Sequence, residues 1–219
     1  MIVPTASESQ SPDEASALAR QGHVTIGFGT CVITSMTTST PTTSISSDLL
    51  PTVRNIDEAR DMCHDFTSVL TVGPERHEVS DFGHPDHKIV SFDDITVSYA
   101  GYRAPTFDHV RDIVTWGQGR SNLLVHCHAG MSRSTSSAWG IAIANGFDPQ
   151  AAYDLLRNNH PIERHRTWNP RPDATTIMRQ RAFIPNELVL KHLEKFLGLR
   201  SGTLREIAAN GSAIAPLDR

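Results

Sequence analysis

The sequence predicts an α/β domain: a central, mostly parallel sheet of four to five strands, flanked by helices. Two observations carry that expectation. Short runs of branched apolar residues alternate along the chain with segments whose apolar positions recur at helical spacing. One run, from Asn122 to His126, is continuously apolar through Leu123, Leu124 and Val125, as a strand covered on both faces must be.

Residues 1–22 are polar and poor in aromatic and branched apolar side chains, so they are expected to be poorly ordered. The first β-rich run is TIGFGTCVIT at 25–34, and the Ser/Thr/Pro stretch at 35–51 reads as an exposed loop. Over 54–66, Ile56, Ala59, Cys63 and Phe66 share one face of an expected helix. A strand follows at 68–72, stopped by Gly73-Pro74, and another at 87–94 carries Asp93 and Asp94 at its carboxyl end. Thr106 is placed to cap a helix running to Trp116, with Phe107, Val110, Ile113 and Val114 inward and Gly117 as its stop. The strand at 122–126 leads through CHAGMSR into 134–146, whose small and apolar residues suit a helix packed closely on a sheet. Asp148 caps the next helix. Asn186 caps the last, in which Leu188, Leu193 and Leu197 point inward and Gly198 is the stop. The expected organisation is one domain over 23–200 and a tail over 201–219.

A chain of 219 residues suffices for one core, and 38% hydrophobic with 20% charged residues is ordinary for a globular protein. Lys and Arg number 20 against 24 Asp and Glu, and the resulting net charge of −4 says nothing of partners unless basic residues cluster; no nucleic-acid partner is expected. Arg157, Arg164, Arg166, Arg171, Arg179 and Arg181 face only Glu163 and Asp173. They read either as a basic rim for an anionic substrate or as a solvated loop. No apolar run approaches the ~20 residues of a membrane span, and no basic residue precedes Arg20, so neither a span nor a secretory leader is expected. The cysteines Cys31, Cys63 and Cys127 are an odd set without a CxxC pair, which argues against a disulfide framework or zinc site and for a reducing, cytoplasmic setting.

The segment LLVHCHAGMSRST carries the chemistry. A buried strand ends at His126-Cys127, five residues separate Cys127 from Arg133, and a helix begins at Ser134. A Gly-containing strand-to-helix loop points backbone N–H groups inward, and the helix adds its positive end, which together make an anion cradle. A cysteine at that focus is favoured as thiolate. Arg133 can hold two oxygens of a phosphate in a fork, Gly130 allows the tight backbone path, and the Ser134 hydroxyl can reach the sulfur. A nucleotide-binding P-loop is ruled out because no G-K-[S/T] follows.

HCHAGMSRS resembles the H-C-x5-R-[S/T] signature of the cysteine-dependent protein tyrosine and dual-specificity phosphatases, matching at His126, Cys127, Gly130, Arg133 and Ser134. The resemblance covers about residues 25–198 and is nearest to compact members of the dual-specificity type. Some of these carry an F-x-D-I strand like Phe92–Ile95, and a Pro-Asn pair like Pro185-Asn186 recurs among them. The segment 160–183 is longer than is usual there. The resemblance implies a catalytic domain with a phosphate loop between strand and helix, and a phosphomonoester hydrolase working through a phosphocysteine. Cys127 would be the nucleophile. His128, Ala129, Gly130, Met131, Ser132 and Arg133 would form the binding loop, with His126 and Ser134 supporting the sulfur. It implies a proton-donating Asp after the preceding strand. Asp94, directly before Ile95, is favoured, Asp93 is the alternative, and Asp81 and Asp86 are weaker options. No metal or cofactor is implied, since loop amides, helix dipole and Arg133 supply the positive charge.

The expected partner is a phosphorylated protein or peptide. The loop interior has no Lys or second Arg, which weakens a phosphoinositide substrate, although phosphoinositide, nucleotide and RNA 5′-phosphate stay as alternatives. A rhodanese-like sulfurtransferase and a silent phosphopeptide-binding module are further ones. His77, His84 and His87 read as solvated histidines in a polar loop, and Trp116 and Trp139 as core. His128 either tunes the pocket or sits at its rim. Cys31 and Cys63 are either resolving thiols for an oxidised Cys127 or core thiols.

Overall fold

The computed structural model describes residues 45–74, 82–165, 177–180 and 182–211, the backbone alone at 162–165 and 177–180. The expectations for 1–22 and 25–34, and for Cys31, His77, Asp81 and the side chains of Arg164, Arg166, Arg171, Arg179 and Arg181, lie outside the described residues.

Four strands form one parallel sheet: β1 (Thr52–Arg54), β2 (Ser68–Gly73), β3 (His87–Ser91) and β4 (Leu123–His126). Their order is β1-β4-β2-β3, so β4 and β2 are central and β3 is an edge. The helices are α1 (Ile56–Met62), α2 (Phe107–Gly117), α3 (Arg133–Ala144), α4 (Pro149–Asn158), α5 (Glu187–Phe196) and α6 (Thr203–Gly211). An antiparallel pair, β5 (Ile162–His165) and β6 (Ile177–Gln180), forms within the longer segment noted above.

Alternation along the central strands sorts the core onto two faces. Leu70, Val72, Leu123 and Val125 pack with Ile113, Val114, Trp139, Ile141, Val189 and Leu193 on the face covered by α2, α3 and α5. Val69 and Leu124 pack on the other face with Ala59 and Cys63 of the α1 region, flanked by Phe66 and Phe82. The helix caps follow the sequence. Thr106 Oγ1 accepts from His109 N, Asp148 from Gln150 N and Ala151 N, and Asn186 from Leu188 N and Val189 N.

Several expectations are corrected. Gly117 does not stop α2: it is its last residue and buried, and a Cβ there would lie 2.5 Å from Ile141 Cδ1, so the missing side chain serves the close approach of α2 and α3. β3 ends at Ser91 rather than 94. Phe92 turns into the core, and Asp93 bonds the Arg103 main chain instead of a strand neighbour. Of the three leucines expected to point inward from the last helix, only Leu193 is buried, while Leu188 and Leu197, the latter just past the end of α5, are half-covered. Residues 45–51 are not a free loop: a single 3-10 turn at Ser47–Leu49 is tied down by Asn122 N to Asp48 O and Asn145 Nδ2 to Leu49 O. The part of the expected tail at 203–211 is a helix with Leu204 fully buried, its N-terminus capped by buried Glu194, which accepts from Gly202 N and Leu204 N. No helix among the described residues is long and apolar enough to cross a membrane.

Candidate active site

The carboxyl ends of β4, β3 and β2 meet the start of α3, and the singled-out residues gather there. β4 delivers Cys127 to the edge of the sheet, where it is 3% exposed. Its Sγ lies 3.2 Å from Gly130 N–H, which donates to it, and 3.1 Å from Ser134 Oγ. Gly130 has a φ of +72°, and a Cβ there would sit 2.9 Å from the Arg54 and Asn55 main chain. Only glycine can both adopt that conformation and pass so near β1. The run Ser134–Ser137 is entirely buried. Thr135, Ser136 and Ser137 return their hydroxyls to carbonyls one turn back, whereas the Ser134 hydroxyl turns to sulfur.

α3 opens onto the same spot. Its N-cap, Ser132, makes no side-chain cap, and no acidic residue lies in its first turn, so the first N–H groups keep their positive end available. Arg133 begins the helix and is 7% exposed. It is held by one bond from Nη1 to Phe92 O at 3.3 Å. Its Nε is buried without a hydrogen-bond partner among the described residues, and the nearest carboxylate oxygen, Asp94 Oδ2, is 3.8 Å away. A buried charged donor left unpaired is costly. An oxyanion seated in the loop would satisfy it.

Asp94 faces this group, and Asp93 does not. Asp94 Oδ1 accepts from Ser132 Oγ at 2.7 Å and from Asn186 Nδ2 at 2.8 Å, which leaves Oδ2 toward Arg133. Asp93 Oδ2 instead accepts from Arg103 N at 2.6 Å, while Asp93 N donates to Arg103 O, closing the base of the loop that carries Asp94. Asp86 is engaged elsewhere, with Ser68 and Arg120. Asn186 ties three elements together. Its side-chain oxygen caps α5, its amide grips Asp94 and Ile95 O, and its main-chain N–H donates to Ser136 Oγ on α3.

Beneath the sulfur, on the α1 face, lies His126. Its Nε2 is 2.5 Å from Thr71 Oγ1, and the same hydroxyl is 2.7 Å from His87 Nε2. The parallel register places Thr71 opposite His126 and so makes the contact unavoidable. One hydroxyl has one proton, so one ring receives it and the other gives. Burial first, then the neighbouring His87, push His126 down to about 4; the Cys127 backbone offsets part of that. The ring is therefore neutral near pH 7.

Sequence reasoning missed Thr71 and its pairing with His87 and His126, because a threonine and a histidine in neighbouring strands show no pairing until register is known. It read Asn186 only as a cap, and its amide is what the cap leaves over. His84 and His87 are corrected from solvated residues: His84 is buried and bonds Phe66 O and Asp86 N. Of the residues expected to form a binding loop, His128 and Ala129 are exposed, Met131 and Ser132 are half-covered and Gly130 is buried. Cys63 packs against Ala59, Val69 and Leu124, with Sγ directed at Arg60 O. Arg157 bonds Gly211 O rather than standing on a rim.

No protein-family model matches the sequence, and no curated protein matches it. Solved structures do. The active form of Tk-PTP is 16% identical, with 68% of this chain and 90% of that one covered and a TM-score of 0.42. PTPMT1, solved in complex with PI(5)P, is 17% identical over 75% of this chain and 96% of its own, with a TM-score of 0.42. The Yvh1 phosphatase domain from Chaetomium thermophilum is 17% identical over 70% and 92%, with a TM-score of 0.39. These likenesses are distant and assign no role to any residue here.

Proposed function

We propose that this chain is a cysteine-dependent phosphomonoester hydrolase of the protein tyrosine or dual-specificity type, with Cys127 as nucleophile, Arg133 as phosphate clamp and Asp94 as general acid and base. The observation that carries the reading is the buried Arg133 Nε, without a hydrogen-bond partner among the described residues, beside a helix start that has no side-chain cap, with a cysteine sulfur and a carboxylate at the same opening. The equatorial oxygens of a phosphate in the loop would accept hydrogen bonds from the amides and the Arg133 fork.

Two steps follow. The Cys127 thiolate attacks phosphorus as the bond to the leaving oxygen breaks, and protonated Asp94 gives its proton to that oxygen. The Asp94 carboxylate then takes a proton from water, whose oxygen displaces sulfur and releases inorganic phosphate. Ser134 Oγ, at 3.1 Å, is placed to donate to the departing thiolate. A sulfurtransferase has no use for a carboxylate latched over the loop, which disfavours that alternative. The loop amides, the α3 dipole and Arg133 neutralise the phosphate, and a phosphoprotein remains the favoured substrate.

The test is phosphate release from p-nitrophenyl phosphate and a phosphotyrosine peptide. Cys127→Ser is expected to lower turnover about 10⁴-fold or more, the scale of losing a covalent nucleophile. Full turnover in that variant would overturn the assignment.

A further inference from the structure

Apolar side chains left in water concentrate at one place. Seven large hydrophobic side chains are exposed among the described residues, and four of them, Val97, Tyr99, Tyr102 and Ile184, lie on the two segments that carry Asp94 and its Asn186 latch. Tyr99 and Ile184 are each 60% exposed. The Tyr99 and Tyr102 rings meet edge to face at 6.5 Å, and Tyr102 N donates to Tyr99 O, so the pair closes its own turn. The opposite wall is fixed to the loop by Ile184 N donating to Met131 O at 3.0 Å. An open groove of about 570 Å³ is lined by Asp94 and Ser132 together with Tyr99, Ile184, Pro185 and Glu187.

An exposed apolar patch continuous with a reactive site marks where a partner lies. The groove's chemistry selects among partners. The charged side chains lining it, among the described residues, are the two carboxylates of Asp94 and Glu187, with no Lys or Arg. A polyphosphorylated headgroup would meet like charge there. An extended polypeptide would not: it presents alternate side chains along such a groove, with main-chain polar groups left to water.

We propose that this groove seats the polypeptide beside the phosphorylated residue, taking an apolar side chain between Tyr99 and Ile184 and a Lys or Arg against Glu187. The proposal rests on the phosphatase reading above and names its substrate class. Glu187 is the first residue of α5 and exposed, so it contributes charge to the rim rather than a buried pair.

The experiment measures kcat/KM for phosphotyrosine peptides that differ only in the flank, beside p-nitrophenyl phosphate and phosphoinositide vesicles. Replacing a flanking Leu by Gly is expected to cost about tenfold, the effect of partly burying one such side chain. Replacing the flanking Lys by Glu is expected to cost about two- to five-fold, as for an exposed charge pair. Ile184→Asp should lower the peptide-to-p-nitrophenyl phosphate ratio about tenfold, and Glu187→Lys should reverse the charge preference. Titration of the same peptides onto Cys127→Ser separates the two claims. Flank-selective binding without turnover by the wild type would sink the catalytic reading and keep the groove. Turnover of p-nitrophenyl phosphate with flank-blind peptides, or with vesicles preferred over every peptide, would overturn the groove alone.

Discussion

The two halves of the candidate site are built in opposite ways. The sulfur half is local: Cys127, Gly130, Arg133 and Ser134 lie on one strand–loop–helix turn, and the contacts to Sγ span three and seven residues. The carboxylate half is assembled at a distance. Asp94 is held by Ser132 and Asn186, which stand 38 and 92 residues away in the chain. A nest made of consecutive backbone is preorganised whenever the strand and helix form. A carboxylate held by two side chains is set only as well as those hydrogen bonds hold it. Substitutions at the latch should therefore tune the rate, while substitutions in the nest should abolish it.

Asp94→Asn should cost about 10²–10⁴-fold in kcat on an alkyl phosphate, the usual contribution of a general acid, and less on p-nitrophenyl phosphate, whose phenolate departs without a proton. Asp93→Asn should retain most activity, because its partner is the Arg103 main chain. The reverse result would move the acid to Asp93 and dissolve the contrast between local and distant halves.

Asn186 sharpens the contrast, since cap and latch are separable. Asn186→Ser keeps a good helix cap but loses the amide that grips Asp94. About a tenfold loss in kcat on alkyl phosphates, with KM and thermal stability nearly unchanged, is expected. Asn186→Ala should show the same rate loss plus about 1 kcal/mol of destabilisation from the missing cap. A rate loss equal for all leaving groups would mean that Asn186 is only structural.

His126 supplies a prediction about stability on the sulfur side. Its value drops from 6.5 to about 4 on folding. Above pH ~6.5 both states are neutral and nothing is lost; below it the unfolded chain takes up a proton that the folded ring refuses. Stability should therefore drain between pH ~6.5 and ~4 by an amount on the order of 3 kcal/mol. Urea midpoints across that range should fall less steeply in His126→Gln than in the wild type. Equal slopes would place the acid sensitivity elsewhere.

What the sequence made legible divides along the same line. The sheet, the caps at Thr106, Asp148 and Asn186, and the cysteine-to-arginine spacing are written in neighbouring residues. The resemblance favours Asp94 over Asp93, but the partners that separate their surroundings, Ser132 and Asn186 for one and the Arg103 main chain for the other, stand 10 to 92 residues away. Pairing of Thr71 with His126 depends on the register of β2 against β4. Thr203 and Glu206 stand at capping-box spacing at the start of α6, but its first turn is met by the carboxylate of buried Glu194 on another helix, a pairing the sequence does not show.

The most direct test of the account is to quench a reaction with a phosphotyrosine peptide in acid and map any phosphoryl group left on the protein. One phosphorylated residue is expected, Cys127, formed and consumed at rates that match turnover and absent from Cys127→Ser. Phosphate release at full rate with no phosphocysteine, or with the group on another residue, would contradict it.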